Sequence, residues 1–183
     1  MGTLKTTNIQ TITGSGTLTI GQSGESLSIV GKMSGQNYPA FEVYKTDTQS
    51  PSDNVLTKVT YNTVRYDTDS FWDATNNRFL PTIAGKYYVY SCLAVNSSGS
   101  NNVSSGGLYF YKNGSVYNRV TYGANTGTAM GGLNFFDAQI VEMNGTSDYV
   151  EIFGIVDVTT GSPQFLTFGA NISNWFGAYR IGS

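Results

Sequence analysis

The chain has 183 residues and a mass of 19.7 kDa, enough to bury one substantial core with a small appendage but cramped for a second full domain. Charged residues make up 12% and the formal net charge is −2, so there is no basic field to neutralise phosphates and nucleic-acid binding is disfavoured. Histidine is absent and Cys92 is the single cysteine, which removes the Ser-His-Asp and Cys-His triads, most zinc sites and any intramolecular disulfide.

With so little charge, the surface must be made from Ser, Thr, Asn, Gly and Tyr, a composition that suits turns and exposed strands and gives helices little to work with. An all-β chain is expected. The first stretch, "MGTLKTTNIQ", has no apolar core of a signal peptide, and no segment has the length of apolar sequence needed to span a membrane, so a soluble chain without membrane insertion is expected. Residues 1–37 contain no aromatic residue. Within them "TLTIGQSGE" and "SLSIVGKMS" repeat one pattern, Leu18 and Ile20 matching Leu27 and Ile29, with Ile9 and Ile12 as a degenerate earlier copy. Pieces this short expose one apolar edge each, and a single hairpin of them is marginal in water. Identical copies around a threefold axis would enclose those edges, so residues 1–37 are read as a β-stalk whose core is Ile9, Ile12, Leu18, Ile20, Leu27 and Ile29; an extra hairpin packed on the main domain is the alternative. The glycines of "GSGTLTIG" do not make a dinucleotide fingerprint, because Thr19 stands where the third glycine is required.

From residue 38 onward aromatics arrive and strand-like runs recur: "AFEVYK", "VLTKVTYNTVRY", "KYYVYSCLAV", "GLYFYKNG", "SVYNRVTYG", "LNFFDAQIVEM", "DYVEIFGIV" and "NWFGAYRIG". Short strands at this spacing, joined by Asn-Gly, Gly-Ser and Ser-Ser-Gly turns, predict a sandwich or jelly roll over residues 38–183. Asp67, Asp69 and Asp73 of "YDTDSFWD" lie close in sequence, but Phe71 and Trp72 occupy positions where an EF-hand loop needs a ligand and a glycine; a solvated acidic turn is preferred to a looser calcium site. Before the third run, Pro81 and Gly85 mark a turn. Alternation then puts Tyr87, Val89, Ser91 and Leu93 on one face and Tyr88, Tyr90, Cys92 and Ala94 on the other, with Cys92 a buried, unreactive thiol. "NSSGSNNVSSGG", Asn96 to Gly107, reads as a long exposed loop. Sequons begin at Asn96, Asn102, Asn113, Asn144 and Asn171, and in so Asn- and Ser-rich a chain they are coincidental.

The motif order carries a family resemblance. "RFLPTIAGKYYVYSCLAV" resembles the C1q-like pattern of a Phe, a Pro-containing turn, Gly-x-Tyr and an aromatic strand. "FYKNG" resembles that family's Lys-Asn-Gly hairpin, and "AQIVEMNGTSDYVEIF" and "NWFGAYRI" its late strands, from about Ala40 to Ile181. Two positions depart: Asn144-Gly145-Thr146-Ser147-Asp148 replaces the usual Gly-Asp, and bulky Phe176 stands where small residues are common. No collagen repeat precedes the domain. The resemblance implies a ten-stranded C1q/TNF-like jelly roll assembled as a homotrimer, in which Tyr88, Tyr90 and Cys92 face the subunit interface.

A C1q-like head behind a β-repeat, with few charges and no disulfide, leads to the expectation of a non-enzymatic bacteriophage protein, made in the host cytoplasm and placed on the virion surface. A capsid decoration protein or head fibre attached through residues 1–37 is the first expectation, with phage capsid or tail proteins as partners and no cofactor. A tail-fibre tip, or a C1q-like or lectin adhesin for a host surface glycan or receptor, is the alternative.

Overall fold

The computed structural model describes residues 39–99, 101–123, 130–166 and 173–182. All of these belong to the second of two units into which the chain divides, Tyr38–Ser183. The expected stalk core of Ile9, Ile12, Leu18, Ile20, Leu27 and Ile29 lies outside the described residues.

The described residues form strands and no helix, in two six-stranded antiparallel sheets. Sheet A is built on β6 (Gly85–Ser97), which pairs along one side with β9 (Gly132–Met143) and along the other with β12 (Trp175–Gly182) and β11 (Pro163–Phe165). Beyond β12 follow β1 (Ala40–Tyr44) and β3 (Thr63–Asp67). Sheet B runs β4 (Trp72–Asp73), β5 (Arg78–Phe79), β10 (Val150–Val158), β7 (Val103–Lys112) and β8 (Ser115–Gly123), with β2 (Thr57–Lys58) also on β10. Strands neighbouring in space are mostly distant in sequence, as in a jelly roll.

Alternation drives the packing. In β6, Tyr87, Val89, Ser91 and Leu93 are buried while Tyr88, Tyr90 and Cys92 point to the opposite face. In β10, Val150, Ile152 and Val156 meet them from the other sheet. Rings fill much of the space between: Phe41 stacks on Phe79 at 4.8 Å and meets Phe176 edge-on at 5.1 Å, and Phe79 meets Tyr87 edge-on at 5.2 Å. Phe176, an anomaly beside the family pattern, is thus a core residue, fully buried on the inward face of β12. Tyr87 keeps its hydroxyl satisfied by donating to the Ile83 carbonyl at 2.8 Å. Burial, opposed by nearby Arg180, pushes its phenol up to about 12.

Some expectations are corrected. Asn96 to Gly107 is not one exposed loop: β6 continues to Ser97, β7 begins at Val103, and Val103, Gly106 and Gly107 are buried. Small polar residues pass for loop when their burial comes from the facing sheet, a contact invisible along the chain. "VLTKVTYNTVRY" is two strands, β2 in sheet B and β3 in sheet A, so this segment crosses between sheets. Twelve strands are described where the resemblance implied ten; β4, β5 and β11, of two or three residues, are too short to show alternation. Ala94, placed by alternation with Tyr88 and Tyr90, is buried, its amide held by Asn174. The "KNG" hairpin is as the sequence implies: Asn113 (φ 52°) and Gly114 (φ 77°) are both left-handed, as a two-residue turn between twisted strands requires.

Candidate functional site: an aromatic face on sheet A

The outward face of sheet A is where a monomer should be polar, and it is not. Phe136 is 57% exposed, Ile140 56%, Tyr179 44% and Tyr66 41%, and Tyr88, Tyr90 and Trp175 lie half-buried among them. The rings are in mutual contact: Tyr88 to Tyr179 at 5.3 Å, Tyr90 to Trp175 at 5.7 Å and Phe136 to Trp175 at 5.6 Å. A contiguous patch of this kind, unlike scattered exposed apolar residues, marks an interaction surface.

Register explains its centre. Tyr90 pairs with Ala138 on β9 and Gly177 on β12; Gly177 pairs with Glu42 on β1, and Glu42 with Tyr66 on β3, so these residues form one row across five strands. Gly177 is the gap in the row. A Cβ there would stand 2.6 Å from the Tyr90 ring, so its absence lets that ring lie across β12 and reach the next strand. There the Tyr90 hydroxyl donates to Glu42 Oε2 at 2.9 Å, leaving its oxygen to accept from the Tyr66 hydroxyl at 3.1 Å. Arg65 pairs with the other carboxylate oxygen of Glu42 and lies over the Tyr44 ring at 5.3 Å. Burial, reinforced by the bonds to Tyr66 and Glu42 and by the Glu42 charge, raises the Tyr90 phenol far above its ordinary range. Tyr90 therefore stays a neutral donor at any physiological pH. Glu42, Arg65, Tyr66 and Trp175 are among the walls of a shallow depression of about 580 Å³ over this row.

Of the expected interface residues, Tyr88 and Tyr90 lie on this face, and so does Cys92, between Phe136 and Trp175 in register. Cys92 is half-buried in the isolated chain, where a buried thiol was expected; the partial burial still raises its pKa. Sequence reasoning missed Glu42, Arg65, Tyr66, Phe136, Trp175 and Tyr179. The signal was present in the alternation of β12, where Trp175, Gly177 and Tyr179 share a face, but the strand was read only as a closing strand.

The three aspartates do not converge on a cation. Asp67 accepts the Phe71 and Trp72 amides at 2.9 and 3.0 Å, and Asp69 accepts the Thr68 hydroxyl at 2.9 Å. Asp73 serves the following turn: burial pushes its pKa up, but bonds from Asn76 and Arg78 outweigh that and hold it below the ordinary range. Among the described residues no group of three His, Cys, Asp or Glu side chains is placed to hold a metal ion.

Two antiparallel sheets with this strand order define an all-β jelly roll of the TNF and C1q type. Among solved structures the chain is similar to murine APRIL: the form at pH 5.0 gives a TM-score of 0.55 at 10% identity, over 79% of this chain and 100% of that one. The form at pH 8.5 gives 0.53 at 12% identity, over the same shares of the two chains. Eiger TNF from S. frugiperda gives 0.51 at 11% identity, over 80% of this chain and 94% of that one. At such identities the likeness speaks for the fold alone. No protein-family model matches the chain, and no curated protein does.

Proposed function

We propose that this chain is the subunit of a non-enzymatic homotrimer on the surface of a phage virion, a capsid decoration protein or head fibre whose residues 1–37 attach it and whose jelly roll is displayed. The observation that carries the assembly is the aromatic face of sheet A, a patch too apolar and too continuous to be left in water. A closed threefold ring needs two different complementary patches on each subunit. The second is the edge where β8 meets β9: Tyr117 is 45% exposed, and its hydroxyl donates to the Ile140 carbonyl at 3.0 Å. Support for the phage setting comes from composition: few charges, a lone cysteine that forms no internal disulfide, and the aromatic-free repeat of residues 1–37.

Sedimentation of the purified full chain tests the assembly, with three times 19.7 kDa expected and 19.7 kDa the contrary result. Co-sedimentation with purified capsids and with purified tails tests the location. Polar substitution of Ile20 and Ile29 should release the protein from capsids while the trimer persists. Release from tails instead would favour a tail-fibre tip, and unchanged occupancy would end the attachment role. If the chain is a monomer, the depression over Tyr90 is open to a ligand, and the host-glycan adhesin becomes the better reading.

A further inference from the structure

The outward face of sheet B lies on the far side of the sandwich from Tyr90 and is built differently. Register puts Lys58 beside Phe153, Phe153 beside Tyr109 and Tyr109 beside Arg119, a row of cation, ring, ring and cation across β2, β10, β7 and β8. With strands about 4.8 Å apart, the row is about 14 Å long. Tyr111, one row along, packs its ring 4.3 Å from Phe153, and Tyr149 lies beyond it on the same face of the sheet. Each ring in contact with a cation is matched to its own: Arg78 sits 4.7 Å from Tyr149, Lys58 5.9 Å from Phe153 and Arg119 6.0 Å from Tyr109. Two of these cations are neutralised, Lys58 by Glu151 and Arg78 by Asp73. Arg119 has no carboxylate partner among the described residues, and it is exposed.

We propose that this face binds a carboxylated polysaccharide, with the apolar CH groups of its sugars along the solvent-facing flank of the Tyr109, Phe153 and Tyr111 rings and one carboxylate on Arg119. Rings side by side on a rigid sheet match the apolar face of a sugar ring, and a planar guanidinium fits a carboxylate with two parallel hydrogen bonds. The carboxylate is specified by charge complementarity: the row ends in a cation for which the described residues supply no neutralising group. The protein as a whole carries a net charge of −2 and repels polyanions, so any attraction must be local to this face. The proposed trimer uses the outward face of sheet A together with Tyr117 on β8, two residues from Arg119, so the two surfaces meet on that strand and subunit mass must be followed alongside binding.

The full chain is titrated with polygalacturonate, alginate and hyaluronan, and with carboxyl-reduced polygalacturonate, while its mass is followed by sedimentation. Binding to at least one carboxylated polymer is expected, with the reduced polymer binding at least about tenfold more weakly, the size of a lost charge-assisted hydrogen bond. Arg119→Ala should lose about the same factor for the carboxylated polymer only, Arg119→Lys should recover part of it, and Tyr109→Ala should weaken both polymers, all at unchanged mass. No binding to any of the three carboxylated polymers, or equal binding by Arg119→Ala, overturns the proposal. A change of mass in Arg119→Ala would place Arg119 in the subunit contact and would likewise overturn the proposal.

Discussion

The two sheets bury the same kind of inward face and present opposite kinds of outward face. On sheet A the rings of Tyr88, Tyr90, Trp175 and Tyr179 touch one another, and the cation among them, Arg65, is spent on Glu42. On sheet B one ring pair, Tyr111 and Phe153, is in contact, three aromatic rings carry cations, and one of those cations, Arg119, has no carboxylate partner among the described residues. Ring against ring with internal charge neutralisation suits a surface that another protein covers, since burying an unpaired charge there costs several kcal/mol. Rings capped by cations suit a surface that stays wet, where the cation keeps its water. A half-buried aromatic therefore says little by itself; the neighbours that complete its polar atoms decide what it is for.

Tyr90→Asp should break this contrast most severely. It sets a second carboxylate beside Glu42, whose partner Arg65 is already engaged, so about 3–5 kcal/mol of destabilisation and loss of the trimer are expected, read by melting temperature and sedimentation. A stable trimer at low concentration would mean this face is not the interface. Gly177→Ala should come next, at about 1–3 kcal/mol: its Cβ must displace the Tyr90 ring or the Phe41 carbonyl, 2.8 Å away, so trimer affinity should fall along with stability. Tyr90→Phe keeps the ring and removes only the hydroxyl, at about 1 kcal/mol, and should leave the trimer intact but easier to dissociate.

How much of this was legible in the sequence depended on length and period. The all-β class, the alternation of β6 and the Asn113-Gly114 hairpin were readable because each is encoded within a few consecutive residues. The row from Ala138 to Tyr66 was not, since its members come from five strands and only register brings them together. Gly177 shows the limit plainly: a glycine in a strand marks a close approach, but which ring approaches is a tertiary fact. The burial of Val103 and Gly106 within an apparently polar loop was hidden for the same reason.

Asp148 supplies a baseline that touches neither face. A hydrogen bond from Asn113 and the nearby Lys112 hold its pKa below the ordinary 3.8, against the opposing effect of burial. A carboxylate lowered in the folded state adds stability that is complete above its unfolded pKa and is lost as pH falls through the folded value. Wild type should therefore melt above Asp148→Asn at pH 7, the gap should close on acidification below about 3.8, and mass should not change at pH 7. This is the smallest effect expected.

Hydroxyl-radical footprinting of the native full-length protein compares the two faces in one sample. Tyr88, Tyr90, Trp175, Tyr179 and Phe136 should be strongly protected relative to denatured chain, beyond what their exposure in the isolated subunit allows, while Tyr109, Tyr111 and Phe153 should be labelled as that exposure predicts. Equal labelling of the two sets, or protection confined to sheet B, would contradict the assignment of sheet A as the surface on which the subunits meet.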